Sequence, residues 1–573
     1  MAKKISFAFS CILLIIPVLL FSSPVDELCK KYIQQWRLFY PSSALAFGDK
    51  ESAFACEDFS QSAVNQWLRF NRSIAGNLDK LGSFQLLSKD DRIDARLLKR
   101  QVLSEIEKFE KGKLHQLSPS FYAETISQAL THLIARRDLD AAQTLKAVTN
   151  RLKAISTLCL TAQHQLKNGS PFNSQSALEN LRMTGDFYEK DLPRTASIQK
   201  WVQPPGEKDF AGQCKKTADR IRALSTFIQE KIIPRMTLGD TLGEENYTRQ
   251  LCIYTGSDLT PERLEEMALN EIDTVRRMME KASFLYWEEQ NPGKEHQGEL
   301  RQVLNEALKA MEEHRVETQA EFLTLFKQLI DESEQFTREK KLATLPGSRT
   351  LYTDLSPAHF SGAAVGGVYP AGPFNPGADT LFYLPTVPDS ESKEVKEGFY
   401  RSFNNHFNRM IITHEIYPGH YLQSKIASVN PRLVRSLFGD DLYVEGWASL
   451  CEQITLEAGW DKGDKLTYLA HLRKRLENAV RAYASVQVHC NGWNREKLTR
   501  FAVERGLLAP QFAINLWDRV MSSPMQITSY FLGFRAFSEL LEEQQRQEGK
   551  SFSMQEFCDR ILQAGAVPIS ELR

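Results

Sequence analysis

Between positions 414 and 420 the chain reads His-Glu-Ile-Tyr-Pro-Gly-His. Two imidazoles close in sequence, with a carboxylate beside the first, form the kernel of a metal-hydrolase site. The rings bind a divalent ion and the glutamate takes a proton from water. Such rings usually stand at i and i+4, about 40° apart around a helix. Here they stand at i and i+6, about 240° apart, on opposite sides of any regular helix. Pro418 offers a way out, because its ring clashes with the carbonyl of His414 and it donates no hydrogen bond. Gly419 beside it tolerates almost any backbone angle. A bulge at this point would absorb two residues and return His420 to the side of His414. The plainer reading is a kinked helix with two partly buried histidines. The chemical reading makes His414 and His420 zinc ligands and Glu415 the general base.

A catalytic zinc needs a third protein ligand and an open fourth position. Asp441-Leu-Tyr-Val-Glu445-Gly-Trp-Ala begins another helical stretch after His420. Glu445, followed by small residues, suits a carboxylate ligand that a neighbouring helix approaches closely. Considered alone, it reads as a solvated helix-start residue. Tyr530 and His489 are candidates to stabilise an oxyanion, and each reads equally well as a packing residue. Arg481 and Arg535 are candidates to grip a terminal carboxylate, which would make the action carboxypeptidase-like; each reads equally well as an ion-pair partner. Thr380-Leu-Phe-Tyr383-Leu384, ended by Pro385, reads as a short strand that could hold an extended peptide by backbone pairing.

The elements that must position these residues are mostly helices. Leu97, Leu98, Val102, Ile106 and Phe109 form an apolar stripe among charges. So do Leu264, Met267, Ala268, Ile272, Val275 and Met279, after a capping pattern at Leu259-Thr260-Pro261-Glu262. Phe399 to Val429 reads as one kinked helix carrying both histidines. The Gly- and Pro-rich segment 343–390 breaks the pattern and holds the strand. A Gly-containing loop at 239–243 divides an N-terminal helical lobe (24–240) from a zinc-binding catalytic lobe (241–573).

Of 573 residues, 71 are Lys or Arg and 72 are Asp or Glu, a net charge of −1 that argues against nucleic-acid binding by bulk charge. Lys3 and Lys4, the apolar run Ile5 to Phe21 and Ser22-Ser23 read as a signal peptide over residues 1–23. Export to the periplasm or the extracellular space follows, with membrane contact only through this segment if it stays uncleaved. Cys11 lies inside the apolar run, not at its end. Eight further cysteines permit up to four disulfides or a set of buried thiols.

HEIYPGHYLQ (414–423) and VEGWASLCEQ (444–453) resemble the bacterial DUF885 family, placed among gluzincin-type metallopeptidases. The resemblance extends to DDRIDARLLKRQ (90–101), LGEENYTRQL (242–251), LTPERLEEMALNEI (259–272), HCNGWN (489–494), PMQITSYFLGFRAF (524–537) and ILQAGAVPISEL (561–572). It implies zinc on His414, His420 and Glu445, with Glu415 as base. It also implies a mainly α, zincin-like fold with a deep cleft and a small β-sheet next to the metal helix. Two positions depart from the family pattern, Ser485 where members often carry Asp and Pro385 where they often carry Asn. The expected activity is hydrolysis of short peptides. An inert exported scaffold with a retained zincin shell, or a zinc hydrolase of non-peptide amides or esters, fits the same residues.

Overall fold

The computed structural model describes residues 23–136, 138–296, 298–356 and 367–573. Helices carry most of the described chain, and the described strands form one sheet of three. The mainly helical class is what the pattern of apolar stripes required. The leader expected over residues 1–23 lies outside the described residues except for Ser23. Its hydroxyl accepts from the Asp26 amide and caps the Pro24–Phe39 helix.

Local signals set the long helices. Thr260 caps the Pro261–Gln290 helix by accepting from the Arg263 amide, and Pro261 occupies the first turn, where no N–H is needed. This helix buries Leu264, Ala268, Ile272, Val275 and Met279 along the Lys465–His489 helix. With Leu300–Glu313 the pair encloses one apolar core. A second core runs from the N-terminal helices through the sheet to the histidine region and the C-terminal helices. The Asn405–Glu415 helix contributes Ile412 to this second core and packs against Lys465–His489 of the first. The two cores therefore meet beside His414.

The single kinked helix expected over Phe399–Val429 is instead three helices, Lys393–Ser402, Asn405–Glu415 and His420–Ala427. Asn404 ends the first segment and restarts the chain by accepting from the Phe407 amide. Between the second and third, the chain leaves helical geometry altogether.

In the sheet, β1 (Leu351–Leu355), β2 (Gly367–Tyr369) and β3 (Thr380–Leu384) lie in the order β1-β3-β2. β3 pairs parallel with β1 and antiparallel with β2, Val368 standing opposite Phe382. The expectation that the 380–384 strand pairs with a peptide is therefore corrected. Both of its edges are already hydrogen-bonded. The cysteine alternatives also resolve: Cys29, Cys56, Cys159, Cys214, Cys252, Cys451, Cys490 and Cys558 are all free thiols, most of them buried.

Candidate metal centre

His414 sits in the last turn of its helix and His420 opens the next. The chain between them folds back so tightly that a Cβ on Gly419 would lie 1.8 Å from the His414 carbonyl oxygen. Only glycine fits there. The indole of Trp447, fully buried, donates to the Pro418 carbonyl at 3.0 Å and ties this turn to the Asp441–Glu457 helix. The result is two rings 4.8 Å apart between centroids and nearly perpendicular, at 89°. The i+6 spacing is thus accommodated by ending one helix and starting another.

Asp440 caps the Asp441–Glu457 helix and so sets the position of Glu445 in its first turns. One residue on, Gly446 meets Gly533 of the Ser529–Glu548 helix, where an added Cβ would lie 2.4 Å from the Gly533 backbone. This crossing brings Glu445 and Tyr530 into one cavity. Glu445 Oε2 lies 3.4 Å from His420 Nε2 and 3.8 Å from His414 Nε2. The three ligand atoms fall within 4.8 Å of one another.

Glu445 Oε1 accepts from Gln526 at 3.2 Å, whereas the buried Oε2 makes no well-formed hydrogen bond. A buried carboxylate oxygen left this way, facing two imidazole nitrogens, costs free energy that a cation among the three would offset. Two histidines and a glutamate are also a catalytic zinc donor set. The residues present fit the ion.

The electrostatics agree. Burial opposes charge on His420, but the approach of Glu445, with Glu415 behind it, outweighs burial and raises the ring to about 9. Burial would raise Glu445 in turn, and His420 and His414 overcome it, holding the carboxyl down at about 2. Behind the site, Glu452 Oε1 lies 2.8 Å from His414 Nδ1 and Oε2 lies 3.1 Å from His471 Nδ1. Burial works against this carboxylate too, yet its two imidazole partners hold it at about 2. An ionised carboxylate only accepts, so Nδ1 of His414 donates to Glu452 and Nε2 is the atom turned toward Glu445. Glu452 and His471 escaped the sequence reading. The available signal was the i+7 spacing of Glu452 from Glu445, which puts both on one helix face.

Glu415, Tyr530 and Arg481 line the same cavity of about 550 Å³ as the three ligands. Burial, and then the Glu445 charge, push the Tyr530 phenol up to about 12, so it stays protonated and able to donate. Its ring lies near-parallel to His414 at 6.5 Å, with the Arg481 guanidinium 5.1 Å above it. Arg481 also pairs with Glu477 at 2.5 Å. Other expected residues lie elsewhere. His489 is buried between the Val520 carbonyl, 3.0 Å from Nε2, and the Leu242 amide, 3.3 Å from Nδ1; both nitrogens are engaged away from the ligands. Arg535 is half-exposed and pairs with Glu539 at 3.0 Å, one turn along its own helix. Tyr383 lines an adjoining apolar cavity. Ser485 accepts from Tyr247 and donates to the Pro524 carbonyl, also apart from the ligands.

The family model described as a bacterial protein of unknown function, DUF885, matches residues 41–573. No curated protein matches the chain. Among solved structures, a proposed lipoprotein of unknown function from Shewanella oneidensis superposes with a TM-score of 0.78 at 20% identity, over 96% of this chain and 99% of that one. A proposed lipoprotein from Colwellia psychrerythraea gives a TM-score of 0.76 at 17% identity, over 96% and 98%. At these identities the likeness is one of fold.

Proposed function

The chain belongs to the DUF885 family, and for it we propose an exported zinc-dependent peptidase of zincin type that hydrolyses short peptides. The observation that carries the reading is the buried, unsatisfied Oε2 of Glu445 aimed between the Nε2 atoms of His414 and His420, with Glu415 in the same cavity. Zinc held by these three residues supplies a Lewis acid and a water of lowered pKa. Glu415 takes the proton from the attacking water. Tyr530, protonated and facing the ligands, donates to the oxyanion that develops on the scissile carbonyl. Glu452 keeps His414 in the tautomer that offers its Nε2 lone pair.

The free edge of the sheet supports a reading in which β2, not β3, receives the peptide. Among the described residues β2 pairs on one edge only, and Val368 and Pro370 line the metal cavity. An extended peptide adding to that edge lays its backbone across Glu415. Export is supported by the basic-apolar leader pattern and by the description of both solved relatives as lipoproteins. No helix among the described residues is long and apolar enough to cross a membrane.

The test is metal analysis together with peptide hydrolysis on the purified chain and on Glu415→Gln. The expected variant keeps near-stoichiometric zinc while kcat falls about 10²–10⁴-fold. Full activity in Glu415→Gln removes that residue as base. Metal-free protein without activity supports the scaffold reading. Zinc-bound protein that cleaves esters or acyl amides but no peptide supports the non-peptide reading.

A further inference from the structure

Glu415 lines two cavities. One is the metal cavity; the other, about 250 Å³, is walled by Phe326, Phe382, Leu384, Phe403, Phe407 and Ile411. An apolar cavity of roughly 150 Å³ takes up a benzene molecule, so this one has room for a phenyl or indole ring. The two spaces adjoin at Glu415, Lys474, Glu477 and Arg481, which line both.

That junction holds two cations, Lys474 and Arg481, and two carboxylates, Glu415 and Glu477. Lys474, Glu477 and Arg481 lie along one face of the Lys465–His489 helix. Arg481 holds Glu477 at 2.5 Å, while the Lys474 ammonium lies 3.7 Å from the same carboxylate. Both cations thus converge on Glu477, with Arg481 in direct contact and Lys474 further off, and Glu415 also acts on Lys474. Lys474 is mostly buried, its side chain 11% exposed. Burial, followed by the repulsion of Arg481, lowers its pKa. A desolvated ammonium whose ion-pair partner lies 3.7 Å away gains from a carboxylate placed in direct contact.

From this arrangement we infer that the apolar cavity is a side-chain pocket for the C-terminal residue of the substrate. It receives a large apolar or aromatic side chain, while Lys474 and Arg481 hold that residue's free carboxylate. The inference rests on the hydrolase reading for its catalytic consequence, since it sets the scissile bond at Glu415, between pocket and metal ligands. The binding consequence stands without it. Lys474 is then a specificity residue that touches substrate.

Binding and cleavage are measured separately on the full chain. Calorimetry compares N-acetylphenylalanine, its amide and N-acetylalanine. The phenyl group is expected to strengthen binding about 10–100-fold over methyl. The free acid is expected to bind about tenfold or more tightly than the amide. In Lys474→Met the preference for acid over amide is lost and the preference for phenyl over methyl is kept, with circular dichroism confirming the fold. Zinc-loaded protein is then given N-acetyl pentapeptides ending in Phe, Leu, Ala or Asp, as acids and as amides. Release of terminal Phe or Leu at least about tenfold faster than Ala, from acids only, is the expected result. Equal binding of acid and amide, or of phenyl and methyl, overturns the pocket assignment. So does peptide cleavage at internal bonds without regard to the terminal residue, while leaving the hydrolase reading intact. Selective binding with no cleavage of any peptide overturns the hydrolase reading and leaves the pocket standing.

Discussion

Glu452 holds two imidazoles at once, and under the proposed zinc reading its effect reaches the metal through His414. In Glu452→Gln the amide offers one acceptor oxygen where the carboxylate offers two, so one histidine loses its partner. Metal affinity should fall about 10–100-fold, read by competition with a chelator of known strength. Unchanged affinity would mean that packing alone holds the ring. His420 sets the pH behaviour. Its ring is raised to about 9 by Glu445, so below that pH an incoming metal displaces a proton. Apparent affinity should therefore rise about tenfold per unit from about pH 6 to about pH 9 and flatten above. Titrations at three pH values check it, and a flat profile would remove His420 as the displaced group. The histidines were legible as candidate ligands because their type is scarce and their spacing deliberate. Their partners were not, since Glu and His occur widely and only contact distinguishes them.

At the scale of elements, two glycines decide the geometry. Gly419 lets the chain fold against the His414 carbonyl, and Gly446 lets the Glu445 helix cross the Tyr530 helix at backbone distance. Gly446→Ala puts a methyl into the Gly533 backbone, so the helices must separate. The expected cost is about 1–3 kcal/mol of stability, with weaker zinc binding because Glu445 moves with its helix. Thermal melts and metal titration of the one variant read both effects. A melt and an affinity equal to the parent's would show that the two helices accommodate a methyl group at their crossing. The small residues after Glu445 announced a close neighbour. Which helix would fill that role was not readable, because the partner glycine lies far along the chain. The helix break at Ile416–Gly419 was readable as a disturbance through Pro418 and Gly419, but not as a full stop.

Across the whole molecule, the N-terminal helices are pinned to the segments around the candidate metal site by ion pairs on the Lys89–Ile106 helix. Asp94, buried, binds Arg432 at 2.5 Å and Arg435 at 2.7 Å. Arg100 binds Asp440, the cap of the Glu445 helix, at 2.5 Å, and Arg92 and Arg96 both bind Glu571. Asp94→Ala strips the buried Arg435 of one carboxylate and should cost about 3–5 kcal/mol in denaturant unfolding. A loss under about 1 kcal/mol would class the network with exposed pairs. The motif DDRIDARLLKRQ thus acts as a clamp between distant parts of the chain.

The sequence by itself determined the helical class and the caps of the long helices, and it singled out His414, His420 and Glu445, with Glu415 beside them, as the candidate ligand set. Those depend on residue type and short-range spacing, which local sterics and hydrogen bonding convert directly into geometry. Tertiary structure alone decided that His489 and Arg535 face away from the ligands and that β3 is internal to its sheet. It alone paired Glu452 with two histidines and set an apolar pocket with two cations beside Glu415. Each of these depends on which surfaces of separate helices meet, and that outcome is set by packing of the whole chain.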